Sequence, residues 1–252
     1  MPKLKAITFD LWDTLIRDGS DEPKRKEAGR LSKRDERRDL VYRFLSVHAP
    51  IERSAIQSAY DTADAAFNAV WKELHVTWTV PQRLTILLRG LGRELPEQEF
   101  AELVRLHEEM ELEFRPDFAP HAAEAVRALS KHYRLGVISD AVFTPGRCLR
   151  RLIEDEGILG CFQAFVFSDE AGHSKPHPSV FEAAAAALGV SPDEMIHIGD
   201  REHNDVEGAL RFGSRAILCA AVIDRGSETT AAEAVCRTFQ ELPNIIAALD
   251  RR

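Results

Sequence analysis

Five short runs without a lysine, arginine, aspartate or glutamate, at 6–9, 135–138, 164–167, 195–198 and 217–220, constrain this chain more than any other feature. Each holds mostly β-forming or apolar residues, the composition of a strand covered on both faces. From residue 116 onward the runs alternate with helix-length segments. That alternation predicts right-handed βαβ units and a parallel sheet. The expected fold class is α/β, a doubly wound parallel sheet, with an α-helical bundle inserted after the first strand.

The bundle reads off residues 17–115. Asp18-Gly19-Ser20-Asp21-Glu22-Pro23 is turn chemistry, and the charge-dense stretch from there to Asp39 reads as a loop. Between Arg17 and Arg43, ten lysines and arginines stand against seven acids, as on a solvated loop and helix face. Leu40, Val41, Phe44 and Leu45 mark a first helix that Pro50 ends. Ile56, Tyr60, Ala63, Phe67, Val70, Trp71 and Leu74 recur at helical steps and mark a second. Thr79 and Pro81 open a third through Leu84, Leu87 and Leu88, and Gly92 closes it. A fourth begins near Pro96 and carries Phe100, Leu103, Leu106 and Met110. These stripes read as packing surface, and four helices joined by short turns make a bundle.

At 252 residues the chain can bury a substantial core. A net charge of −8 argues against nonspecific nucleic-acid binding, and an anionic ligand would need a local cationic site. The four cysteines, Cys148, Cys161, Cys219 and Cys236, show no metal spacing and read as reduced packing residues of a cytoplasmic protein. The apolar run after Lys5 is too short for a signal sequence, and no run reaches a membrane span.

Every strand-like run up to the fourth leads into polar chemistry. Asp10 follows the first, Ser139-Asp140 the second, and Gly172-His173-Ser174-Lys175-Pro176-His177-Pro178 lies beyond the third. Gly199-Asp200 and Asp205 follow the fourth. Each has a structural explanation alone, as a cap, a turn or a surface lysine. Together they put carboxylates, a hydroxyl and an ammonium at the carboxyl edge of one sheet, where open α/β sheets bind ligands.

In this order the stretches resemble the four motifs of the haloacid dehalogenase superfamily. Phe9-Asp10-Leu11-Trp12-Asp13-Thr14-Leu15 is similar to the nucleophile motif, and Val137-Ile138-Ser139-Asp140 to the second, with aspartate where asparagine is common. Lys175-Pro176-His177-Pro178 resembles the third motif, and His197-Ile198-Gly199-Asp200 through Asp205 the fourth. The resemblance implies a core of residues 1–16 and 116–252 and a helical cap domain of 17–115. It implies a hydrolase whose Asp10 attacks phosphorus and forms an aspartyl phosphate. Mg²⁺ would be held by Asp10, the backbone carbonyl of Trp12 and Asp200, with Asp205 binding directly or behind them. Lys175 would offset charge repulsion, Ser139 and Asp140 would contact the substrate, and Thr14 would support the turn below Asp10. The implied partner is a small phosphorylated molecule, with no nucleic acid and no membrane, on a monomer or homodimer.

One position departs from the phosphatase pattern. The second residue after the nucleophile is usually an aspartate that protonates the leaving group, and here it is Trp12. An activated leaving group, a proton from the cap (His48 or His107) or a different reaction would each answer this. The different reaction is metal-independent 2-haloacid dehalogenation, whose enzymes carry an aromatic residue at this place but lack the paired aspartates of the fourth motif. A phosphonatase would want a Schiff-base lysine in the cap, and none stands out. A catalytically weak member that binds a ligand or protein partner is the non-enzymatic alternative.

Overall fold

The computed structural model describes residues 3–251. Six strands form one all-parallel sheet in the order β3-β2-β1-β4-β5-β6. They are β1 (Ala6–Phe9), β2 (Arg134–Ser139), β3 (Ala164–Phe167), β4 (Met195–Gly199), β5 (Arg215–Cys219) and β6 (Ala234–Cys236). Alternate side chains enter two apolar layers. Ile7, Phe9, Val137, Ile196, Ile198 and Ile217 pack on one face, with α7 (Ala122–Leu129), α8 (Gly146–Asp155) and α12 (Leu242–Leu249). Ala6, Ile138, Met195 and Leu218 pack on the other, against α10 (Pro178–Leu188) and α11 (Glu207–Phe212). Burial on both faces is why these strands carry so little charge. The fifth strand begins two residues earlier than expected. β5 and β6 also set Cys219 beside Cys236 in register, joining two cysteines that look unrelated in the sequence; both are free thiols.

Between β1 and α7 the chain makes six helical segments rather than four: α1 (Asp21–Glu27), α2 (Lys33–Ser46), α3 (Arg53–Leu74), α4 (Val80–Gly90), α5 (Glu97–Glu108) and α6 (Met110–Glu113). Leu40, Val41, Leu45, Ile56, Tyr60, Leu84, Leu87, Leu88 and Leu103 form their own apolar cluster. The passages into and out of this insert pair with each other. Arg17 N donates to Asp117 O at 2.9 Å, and Ala119 N donates to Leu15 O at 2.8 Å.

The expected loop up to Asp39 is instead α1 and the first half of α2. Its helices pack through charge pairs, which apolar periodicity does not register. Arg25, with no exposed surface, pairs with Glu36. Lys33 Nζ lies 2.9 Å from Asp21 and 2.6 Å from Glu111. Ser32 accepts from Asp35 N and caps α2. Thr79 caps α4 in a capping box with Gln82, as the sequence predicts.

A short α9 (Ser168–Ala171) follows β3, and Lys175 sits in the loop between α9 and α10. The expected helix from Asp205 starts as a π-type turn, Glu202–Val206, and becomes α-helical at Glu207. Among the described residues, no helix is long and apolar enough to cross a membrane.

Candidate active site

The chain reverses its winding between β1 and β4, the two central strands, and their carboxyl ends open on the crevice where such sheets bind ligands. Asp10 stands at the end of β1, its amide donating to Ile198 O at 2.9 Å. Asp200 follows β4, Asp140 follows β2, and Lys175 and Asp205 reach in from the loops beyond β3 and β4. A cavity of about 290 Å³ lies between these ends and the helical insert. Asp10, Trp12, Asp140, Lys175 and Asp205 line it from below; Asp18, Lys33, Arg37, Trp71 and Glu111 line it from the insert.

Lys175 ties the site together. Its ammonium, almost wholly buried, donates to Asp10 Oδ1 at 2.6 Å and to Ile138 O at 2.9 Å, and lies 2.7 Å from Asp205 Oδ1. Burial works against the charged amine, but Asp10, Asp205 and Asp140 outweigh it and hold the lysine protonated well above the ordinary lysine range. Asp10 is pushed the other way. Burial raises its carboxyl above the usual range, and the Lys175 charge offsets only part of this.

Asp205 is fully engaged. One oxygen takes Lys175 and accepts from His197 Nε2 at 3.1 Å; the other accepts from Arg201 N at 2.9 Å. Burial would raise its carboxyl, but Lys175 and His197 hold it far below the ordinary value. Burial pushes the His197 imidazole below its ordinary value, and its Nδ1 lies 2.9 Å from Thr8 Oγ1. Because the Asp205 carboxylate can only accept, the ring proton belongs on Nε2, and Thr8 donates to Nδ1. Gly199 makes room for this. A Cβ there would stand 2.2 Å from Asp205 Cγ.

Asp200 is buried and its carboxyl is pushed up to about 7 by burial and by Asp10 and Asp205. Arg225, which sequence reasoning missed, donates from Nε to Asp200 Oδ2 at 2.5 Å and from Nη2 to Asp13 Oδ2 at 2.7 Å. Among the described residues, Asp200 Oδ1 has no partner. Asp10, Asp200 and Asp205 each bring a carboxylate oxygen within 4.8 Å of the others. An orphaned buried oxygen amid three acids fits a hard cation with oxygen ligands.

Asp140 accepts from Lys175 N at 3.0 Å, and burial raises its carboxyl to about 6. Thr14 and Ser139 are buried with hydroxyls unpartnered among the described residues, and neither belongs to the cavity wall. Asp13 adopts a left-handed φ of 54°, and Asp18 N donates to its carboxylate, which makes it a turn-holding residue. Neither His48 nor His107 reaches the cavity. His48 contacts Glu99 on the surface, and His107 is buried within the insert against Tyr60.

Sequence reasoning also missed Lys33, Arg37, Trp71 and Glu111, because their helices meet the strand ends only after folding. Arg225 had one available signal, its place just beyond β5, at the same edge of the sheet as the four motifs.

Comparison with known proteins agrees with this geometry. A glyceraldehyde 3-phosphate phosphatase of Pyrococcus furiosus is 27% identical over 253 residues, spanning 100% of this chain and 95% of the relative. A phosphoserine phosphatase of Thermus thermophilus is 28% identical over 88% of this chain and 90% of its own length. The crystal structure of a 2-haloacid dehalogenase from Pseudomonas syringae superposes with a TM-score of 0.66 at 19% identity, covering 98% of this chain and 99% of that one, a likeness of fold. The sequence model of the haloacid dehalogenase-like hydrolases matches residues 4–213. With the parallel sheet, the Asp10–Lys175 pair and the acid cluster in place, that match identifies the chain as a hydrolase belonging to the haloacid dehalogenase-like family.

Proposed function

We propose that this hydrolase is a Mg²⁺-dependent phosphatase that acts on a small phosphorylated molecule through an aspartyl-phosphate intermediate. The observation that carries the reading is the acid cluster itself: Asp10 and Asp200 with Asp200 Oδ1 unpartnered beside them. Burying several carboxylates together costs several kcal/mol each unless a cation compensates. Lys175 and Arg225 compensate only in part, since burial and the neighbouring Asp10 and Asp205 still push the Asp200 carboxyl up to about 7. A metal-free dehalogenase would have no use for this arrangement. The curated relatives reported above carry phosphatase names, which supports the same choice.

Asp10, the backbone carbonyl of Trp12 and Asp200 would hold the cation. When bound, it would neutralise charge on the transferring phosphoryl group. Asp205, with both oxygens engaged, would act behind these ligands by orienting Lys175 and His197. The Asp10 oxygen not held by Lys175 attacks phosphorus as the ester oxygen departs, and water then hydrolyses the acyl phosphate. Lys175 steadies the attacking carboxylate and offsets its repulsion from the dianionic substrate. Thr14 supports the turn below Asp10. Trp12 supplies no proton, so the leaving oxygen draws on Asp18 or Asp140, the cavity carboxyls that burial raises. Residues 17–115 act as the cap that excludes water and selects the substrate. The enzyme works in the cytoplasm.

Hydrolysis of p-nitrophenyl phosphate and acetyl phosphate, with Mg²⁺ and with EDTA, tests this. Mg²⁺-dependent release that disappears in Asp10→Asn is the expected result. No release from the folded protein, or full activity in that variant, overturns it.

A further inference from the structure

Four of the nine histidines gather in one place, and none of the four lines the cavity. His173 and His177 flank Lys175 in the sequence, and their rings stack with centroids 4.0 Å apart and planes 17° from parallel. His75, which caps the C-terminal end of α3, lies beside His203, with centroids 6.3 Å apart. Backbone pairing joins the two groups. Ser174 N donates to His75 O at 2.8 Å, Thr77 N donates to Gly172 O at 3.2 Å, and Val76 forms a bridge with His173. The cluster therefore spans the seam between the helical insert and the loop that carries Lys175. The phosphatase mechanism uses none of these rings.

Helix capping accounts for one nitrogen of the stacked pair: His177 Nδ1 accepts from Ser179 N at 3.3 Å at the start of α10. Among the described residues, His177 Nε2 and both nitrogens of His173 make no hydrogen bond. Burial, and then the neighbouring rings, hold His75 and His177 below the ordinary histidine value, which keeps lone pairs free near neutral pH. Unprotonated imidazole suits borderline divalent cations, whereas Mg²⁺ takes oxygen ligands. We propose that His75, His173 and His177 form a metal site apart from the acid cluster, taking a borderline divalent cation such as Zn²⁺ and fastening the insert to the Lys175 loop. A tetrahedral Zn²⁺ about 2.0 Å from each nitrogen holds them roughly 3.3 Å apart, so the 4.0 Å stack needs only a small adjustment. Among the described residues, only the acid cluster already has three ligand atoms within 4.8 Å of one another. His75 therefore completes the set by turning its side chain on a backbone already fixed against Ser174, and water takes the fourth position. With the ion on His177 Nε2, the ring proton passes to Nδ1, where Ser179 Oγ, 2.8 Å away, accepts it.

Isothermal titration of Zn²⁺ into wild type, His75→Asn, His173→Asn and His177→Asn tests this. Asparagine suits these positions, because it tolerates the left-handed φ of 55° at His75 and caps α10 in place of His177. Each variant should bind the ion at this site at least about tenfold more weakly than wild type, the lower bound for changes around a metal ligand. His132→Asn, an exposed position just before β2 at the opposite edge of the sheet, should bind as wild type does. Zn²⁺ that goes to the acid cluster instead would bind all the variants equally, so the comparison separates the two sites. Unchanged binding in any one of the three overturns the proposal; in His75→Asn it would mean that the loop holds the ion alone and nothing is fastened. Diethyl pyrocarbonate labelling of wild type, mapped by mass spectrometry, decides the matter if a variant fails to fold. Zn²⁺ should protect His75, His173 and His177 and leave His132 reactive, and equal labelling with and without Zn²⁺ overturns the proposal. Neither reading needs turnover, so this inference and the phosphatase reading fail separately.

Discussion

Arg225, in the loop between β5 and β6, grips Asp200, its Nε 2.5 Å from Oδ2, and leaves the other carboxylate oxygen without a partner among the described residues. The same guanidinium reaches Asp13 at 2.7 Å, so one loop arginine braces the turns after both β1 and β4. Arg225→Met strands two carboxylates. It should cost roughly 1–2 kcal/mol, at the low end for such a loss because the guanidinium is partly exposed. Urea denaturation of the metal-free protein measures this, and an unchanged midpoint would mean that the brace is idle.

The orphaned oxygen of Asp200 predicts a metal effect that needs no turnover. A cation that binds the native acids and not the unfolded chain stabilises the fold by mass action. Mg²⁺ should raise Tm in wild type, and Asp200→Asn should abolish the increase. A Tm indifferent to Mg²⁺ in wild type would count against the ligand set.

Gly199 predicts a steric failure. A methyl there would meet Asp205 Cγ at 2.2 Å, so Gly199→Ala must rotate Asp205 away from Lys175, His197 and the Arg201 amide. Overpacking of this kind typically costs about 1–3 kcal/mol. kcat should fall together with stability, as read from the denaturation midpoint and p-nitrophenyl phosphate turnover. Retention of both would show that the turn relaxes freely.

Trp12 occupies the cavity wall where a proton donor would be useful. General acids contribute about 10²–10⁴-fold, most for poor leaving groups. Trp12→Asp should therefore raise the rate on ethyl phosphate relative to p-nitrophenyl phosphate, by about tenfold if the new carboxyl recovers part of that range. An unchanged ratio would leave protonation to other groups.

His107 gives the pH dependence of the insert. Burial lowers its pKa to about 3, from an ordinary value of 6.5. Nδ1 donates to Leu103 O at 2.7 Å and Nε2 lies 2.6 Å from Tyr60 Oη, while burial and the nearby Arg37 and Arg83 charges disfavour a second ring proton. Between those two values the unfolded chain binds a proton that the folded one refuses. Stability is therefore complete above about pH 6.5 and declines as pH falls toward 3, by about 1.4 kcal/mol per pH unit from this residue. The difference in unfolding free energy between wild type and His107→Gln, followed from pH 7 to 4, should show that slope. Parallel curves would contradict it.

Sequence pattern alone specifies the sheet and the order of chemistry along its edge. Uncharged runs alternating with helices leave parallel pairing with both faces covered as the consistent arrangement, and a residue just past such a run must emerge at the carboxyl edge. Asp10, Asp140 and Asp200 follow that rule, whereas Lys175 and Asp205 lie farther along in the loops beyond β3 and β4 and are singled out by the resemblance to the third and fourth motifs. Local pattern did not reveal α1 and the start of α2, because Arg25–Glu36 and Lys33–Glu111 replace an apolar stripe with charge pairs between segments. Nor could it show that Asp205 is saturated by Lys175, His197 and Arg201, that Arg225 reaches back to Asp13, or that Arg37 stays unpaired against Phe143. Spacing constrains which edge a side chain occupies. Which partner it meets there depends on contacts between residues far apart in the chain, and only the tertiary structure decides those.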